Sequence, residues 1–132
     1  MDVVVCLDER NGMCFNHRRQ SQDRVVIAEI LQRCKGQPLW MNAYSAALFP
    51  EAAIQVAEDF LQQAPTNACC FVEDQPLAKL EAAMERLIVY RWHRHYPADQ
   101  RFDVDVSKWR LVKQEDLVGH SHDVITREEY HR

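Results

Sequence analysis

Two His-x-His pairs, His93/His95 and His120/His122, the second followed directly by Asp123, are the most conspicuous carriers of chemistry in the chain. Residues two apart on an extended strand share a face, so each pair can offer two imidazoles to one metal ion. The activity such a centre would serve is that of a metal-dependent hydrolase, nuclease-like in type. The competing reading leaves these histidines solvated or locally hydrogen-bonded, and no metal is assigned. Cys14 lies in a polar loop with His17, Arg18 and Arg19, surroundings that lower a thiol pKa. The same basic residues, with Arg24, lie near Asp23, where they can hold an anionic ligand or pair with that carboxylate. A fourth feature is Tyr90 to Tyr96, which interleaves aromatic and basic residues as single-strand nucleic-acid binders do. A strand with one buried and one wet face produces the same alternation.

The whole-chain balance weighs against nucleic acid as a partner. Sixteen Lys and Arg face 20 Asp and Glu, a net charge of -4, and such binding is driven by counterion release at clustered positive charge. With 132 residues and 47% hydrophobic content, the chain is expected to be one soluble domain spanning 1–132. Its longest apolar runs are too short for a membrane span, and Met1-Asp2 does not open a signal peptide. Five cysteines, odd in number and without a CxxC pair, read as free thiols in a cytoplasmic protein.

The elements that must position these residues follow from periodicity. Asp2 to Asp8 is a Val-rich, nearly continuous apolar run, expected as a central strand. Asn11-Gly12 breaks it. Val25, Val26, Ile27, Ile30 and Leu31 recur at helical spacing, with Ser21 available as N-cap and Gly36 as the stop. A short strand is expected over 38–43, then a second helix from Pro50 to about Ala64, with Ile54, Ala57, Phe60 and Leu61 on one face and Pro65 ending it. Further strands are expected at Ala68 to Val72 and Leu87 to Trp92, with a short helix at Pro76 to Met84 between them. Trp109 to Leu117 reads as a strand. Val124 to Tyr130 reads either as its antiparallel partner or, through Thr126-x-x-Glu129, as a helix start. The alternation gives an α/β class: a three-layer sandwich with a mostly parallel sheet of about six strands, an antiparallel C-terminal hairpin, and helices on both faces.

In that order of elements the chain resembles dihydrofolate reductase. The opening Val3-Val4-Val5-Cys6-Leu7 with Asp8-Glu9-Arg10-Asn11-Gly12-Met13 is similar to the family's first strand and its Asn-Gly loop. Asp99-Gln100-Arg101-Phe102, leading to Trp109-Arg110-Leu111-Val112, resembles its Asp-x-x-Phe-Pro segment and Trp-containing strand. The resemblance implies that Asp23 stands where the family grips a pterin ring; the alternative is that it only complements the helix dipole. It also implies a ligand site of Asp23 with Asn11, Met13, Phe15, Asn16, Arg18 and Arg19.

The departures concern the cofactor. Where the family has Gly-Arg-x-Thr this chain has Asn42-Ala43-Tyr44-Ser45, and its Gly-Gly turn is replaced by Val72-Glu73-Asp74-Gln75. The Trp-x-x-Pro loop before Asp23 is absent, and about two strands are expected to be missing after Ala43. No cofactor is therefore expected, and the reading is a small-molecule or partner-binding protein of this fold, with the metal-dependent hydrolase as the alternative. His120-Ser121-His122-Asp123 is similar to the start of the metallo-β-lactamase His-x-His-x-Asp-His signature, but Asp123 comes one position early. Loss of the two strands would leave residues 38–44 as a bare edge carrying Leu39, Trp40, Met41 and Tyr44, so a homodimer through that strand is expected.

Overall fold

The computed structural model describes the whole chain, Met1–Arg132. At its centre lies β1 (Asp2–Leu7), whose two faces are both apolar. Val3, Val5 and Leu7 enter one buried cluster and Val4 the other, so the strand must be covered on each side. Parallel neighbours flank it: β6 (Cys69–Phe71) and β7 (Arg86–Arg91). Two further parallel strands extend one side, β4 (Leu39–Met41) and β5 (Gln55–Val56). The other side ends in the antiparallel pair β9 (Arg110–Leu117) and β10 (Ile125–His131). The sheet order is β5-β4-β6-β1-β7-β10-β9. Val124 to Tyr130 is thus a strand, and the helix-start alternative falls.

Helices cover both faces, as expected. α1 (Arg24–Arg33) packs Val26 and Ile30 against Val4, Phe71 and Tyr90 on one face. On the other, α3 (Phe60–Gln63) and the segment around the 3-10 turn at Ala78–Ala83 supply Phe60, Leu61, Leu77 and Met84. α1 is capped by Asp23, whose side chain accepts from the Val25 N–H, and not by Ser21. Beyond its Cys34 cap, Gly36 takes a left-handed φ of 87° that suits glycine.

Four expectations are corrected. The continuous helix over 50–64 is replaced by a 3-10 turn at Glu51–Ala53, then β5, then α3. The reason lies in the cores: Ile54 belongs to the α1 face, Phe60 and Leu61 to the opposite face, and no single helix reaches both sides of a sheet. The chain crosses the edge between them, and β5 forms at the crossing. Residues 38–44 are consequently not a bare edge, because β5 pairs with β4 at Trp40↔Gln55 and Met41↔Val56, and Ala43 already begins α2 (Ala43–Ala46). The ground for a homodimer through that strand is removed. Thirdly, Cys34 and Cys69 are bonded as a disulfide with Cα atoms 6.3 Å apart, leaving Cys6, Cys14 and Cys70 as the free thiols. α1 crosses to β4 directly over β6, which brings the two sulfurs together. Finally, the loop after β1 is folded: β2 (Gly12–Phe15), β3 (Arg18–Arg19) and β8 (Gln100–Arg101) make a separate three-stranded sheet in the order β3-β2-β8.

Candidate functional site

The chain leaves β1 across one face through α1, and leaves β6 across the other through the 3-10 turn, to reach opposite sides of the sheet. In open α/β sheets the crevice at the carboxyl ends of such strands is where ligands bind. Here those ends bring together Asp8 after β1, Asn42 after β4, Glu73 after β6 and Trp92 after β7. The β2–β3 hairpin folds over them through a tight turn at Asn16-His17, both left-handed with φ of 50° and 60°, the conformation that a two-residue hairpin requires.

Asp8 anchors this hairpin. Its buried carboxylate accepts from the Arg10 and Gly12 N–H groups at 2.8 Å, from Gln20 Nε2 at 2.9 Å and from the Tyr96 N–H at 3.3 Å. Burial alone would raise its pKa, but these donors, the Gly12 and Arg10 amides first, outweigh that and hold it below the ordinary value. Gly12 is required by close approach: a Cβ there would stand 2.6 Å from Gln20 Nε2 and 2.7 Å from Asp8 Oδ2.

A second tie crosses the crevice. Glu73 takes a bidentate pair from Arg19, Nε at 2.9 Å and Nη2 at 3.1 Å, and the Ser45 hydroxyl at 2.7 Å. Arg19 also lies over the Tyr44 ring, 4.2 Å from its centroid. The next carboxylate, Asp74, accepts from Asn42 Nδ2 at 3.1 Å. One carboxylate therefore joins the hairpin, α2 and the end of β6 across the mouth of the crevice. Behind it, between Cys6, Val26, Phe71 and Trp92, only about 10 Å³ of free space remains. Outside it, an open hollow of about 620 Å³ is lined by Phe15, Asn16, Arg18, Arg19, Gln20, Tyr96 and Pro97.

Asp23 lines the same narrow space, but its carboxylate is occupied by the chain itself. Its Oδ1 accepts from the Val25 and His120 N–H groups at 2.9 and 3.0 Å, and its Oδ2 from the Ser121 N–H at 2.8 Å and His122 Nδ1 at 2.9 Å. Burial opposes the charge, yet the His120 amide, the His122 ring and the Val25 and Ser121 amides lower its pKa far below the usual carboxylate range. A carboxylate has about four acceptor sites, and all are taken, so the grip on a planar amidine-like edge has no lone pair to use.

Comparison with known proteins agrees with this topology. No family model and no curated protein matches the sequence. Among solved structures, dihydrofolate reductase from Enterococcus faecalis, complexed with NADP(H) and RAB-propyl, superposes with a TM-score of 0.70 at 12% identity over 99% of this chain and 95% of that one. The fold is that of dihydrofolate reductase. At that identity the likeness concerns the fold alone, and the residues must be judged one at a time.

Of the residues that the resemblance nominated, Phe15, Asn16, Arg18 and Arg19 line one hollow of this dihydrofolate reductase fold. Met13 is buried in the core, and Asn11 is held by Arg91 Nη1 at 2.6 Å. The histidine pairs are not brought together: His93 bonds Thr126, His120 bonds Arg24, and no group of three His, Cys, Asp or Glu side chains is placed to hold a metal. The metal-dependent hydrolase therefore finds no support. Cys14 is buried, and desolvation followed by the charges of Asp74, Asp99 and Glu73 raises its pKa, the reverse of an activated thiol. Tyr90 and Trp92 are core residues, so their ring faces are not open to bases. No helix is long and apolar enough to cross a membrane.

Sequence reasoning missed Asp8, and it read Tyr96 only as part of an aromatic and basic stretch. Asp8 four residues before Gly12, just after a strand, is the signal of a side chain capping its own turn. Nothing local places Tyr96 at the hollow, which it reaches because β7, the strand before it, pairs with β1.

Proposed function

We propose that this chain is a small-molecule-binding protein of dihydrofolate reductase fold that works without a nicotinamide dinucleotide. The observation that carries the reading is the Glu73 carboxylate, tied to Arg19 and Ser45 at the place where the resembling family has its glycine turn. A pyrophosphate there would meet two acidic side chains, Glu73 and Asp74, in place of backbone N–H groups and a free cation. The residues present do not fit the cofactor.

The ligand site is the hollow beside the hairpin. Phe15 and Tyr96 line it with rings, Asn16 offers an amide, and Arg18 is exposed with no carboxylate partner, unlike Arg19. That set suits a planar aromatic anion, stacked between rings and paired with one guanidinium. Titration with NADPH, followed by tryptophan fluorescence, is expected to give no saturable quenching in the micromolar range; saturable quenching overturns the cofactor-free reading. Saturation-transfer NMR with p-aminobenzoate as probe is expected to show contact that Arg18→Ala weakens. Absence of transfer to the probe would remove the ligand class.

A further inference from the structure

Neither the metal reading nor the ligand reading uses His122 as the fold presents it. Its ring is buried, stacked on Trp92 with centroids 4.6 Å apart, and held between Asp23 on one side and Ser21 on the other, with the Tyr96 hydroxyl at a longer 3.5 Å from Nε2. Nδ1 lies 2.9 Å from Asp23 Oδ2, and Nε2 lies 2.9 Å from the hydroxyl of Ser21. An ionised carboxylate only accepts, so Nδ1 carries the hydrogen; Nε2 of the neutral ring is then the acceptor, and Ser21 donates to it. Asp23 is itself immobilised by three backbone N–H groups. Gly119 permits this close approach, since a Cβ there would stand 2.7 Å from Asp23 Oδ2.

We infer that Ser21, His122 and Asp23 form an acyl-transfer triad that hydrolyses esters of aliphatic carboxylic acids. The arrangement meets the requirement of a nucleophile hydrogen-bonded to a base that a third group orients, and it needs no metal. Ser21 is half-buried, whereas the His122 and Asp23 side chains are 3% and 0% exposed, so the base is dry while the residue that carries the nucleophile reaches the surface. Ser21 itself lines the narrow space of about 10 Å³ beside Cys6, Phe71 and Trp92. An open groove of about 540 Å³ starts one residue further on, at Gln22 and Asp23, which line both, and runs along Ile27, Leu31, Leu48 and Pro50. Those side chains suit the hydrocarbon part of an acyl group. The N–H groups of Gln22 and Asp23 make no hydrogen bond within the chain and are the donors free to meet an oxyanion next to the nucleophile.

In the first half-reaction Ser21 Oγ attacks the ester carbonyl carbon while its proton passes to His122 Nε2. The C–O bond to the alcohol breaks, and His122 returns that proton to the departing alkoxide. In the second, water attacks the acyl-serine, gives a proton to His122, and the carboxylic acid leaves as Ser21 is reprotonated. Ser21 and His122 are the catalytic residues. Asp23 is a positioning residue that holds the tautomer.

The test uses the full chain with a fluorophosphonate probe and p-nitrophenyl butyrate. Peptide mass analysis is expected to find the phosphonyl adduct on Ser21, and Ser21→Ala, with an unchanged circular dichroism spectrum, is expected to lose ester hydrolysis by at least about a hundredfold. Asp23→Asn, with its rate normalised to the fraction of folded protein measured by circular dichroism, is expected to lower kcat with KM little changed, a drop that loss of folded protein alone would not leave after that correction. Wild-type protein left unlabelled at Ser21, or hydrolysing the ester no faster than Ser21→Ala, overturns the triad. Mapping the adduct on the wild type keeps the test decisive even if a variant folds poorly.

Discussion

Asp23 shows how one carboxylate can be both a helix cap and the clasp of a distant loop. Because its pKa is depressed in the folded chain, it contributes stability that is fully present above the unfolded value near ~4 and is lost as pH falls below it. Asp23→Asn removes an acceptor facing buried donors and is expected to cost about 3 kcal/mol at neutral pH. It should also flatten the loss of stability in acid. Urea midpoints at neutral and acid pH for both proteins check the pair of statements; a variant that loses as much stability in acid as the wild type would contradict them. The neighbouring glycine gives an independent handle. Gly119→Ala places a methyl group 2.5 Å from the His122 carbonyl oxygen and is expected to destabilise by about 1–3 kcal/mol, read as a lower melting temperature.

Between elements, α1 is joined to the C-terminal hairpin by a buried guanidinium. Arg127 on β10 is wholly inaccessible and donates to Glu29 of α1 at 2.6 Å and to Glu115 of β9 at 3.1 Å. The two partners differ in burial, with side chains 21% and 48% exposed, so their replacement should not be equivalent. Glu29→Gln strands a buried cation and also loosens the acceptor of the Tyr90 hydroxyl, for an expected loss of about 3 kcal/mol. Glu115→Gln leaves a solvent-screened position and should cost under about 1 kcal/mol. Chemical denaturation of both variants measures the difference, and equal losses would show that Glu29 is not the principal partner. The same logic governs the β2–β3 hairpin, which Asp8 holds at its base and Glu73 holds near its tip.

For the molecule as a whole, one covalent tie and one sheet edge set the expected state. The Cys34–Cys69 bond links residues 35 apart, worth roughly 4 kcal/mol on a chain-entropy account. Thiol titration of unreduced, denatured protein should find three groups, and five would mean that the bond does not form. With β5 over β4, the long uncovered edge is β9, and Arg110, Lys113, Glu115 and Asp116 along it are charges of the kind that discourage edge pairing. Sedimentation across a wide concentration range is expected to return a monomer of 15.5 kDa. A concentration-dependent dimer would point to β9, where Leu111 and Val112 are exposed.

What the sequence determined by itself was the succession of strands and helices along the chain and the parallel run of the central strands. Val3 to Leu7, Ala68 to Val72 and Leu87 to Trp92 are apolar on both faces, a property that only interior strands of a covered sheet require, and α1 shows its buried stripe in its spacing. The dihydrofolate reductase likeness followed from that order. Tertiary structure alone decided the rest, because it depended on contacts between residues far apart in the chain. The segment from Pro50 to Ala64 has helical spacing yet serves both cores, so it is broken to pass the sheet edge. Cys34 meets Cys69 only because α1 spans β6. Asp23 reads as a ligand grip or a dipole partner until the β9–β10 loop brings His122, a residue 99 positions away, onto its carboxylate. Local pattern carries local backbone preference and burial; the partners of a buried charge are set by how strands and helices stack.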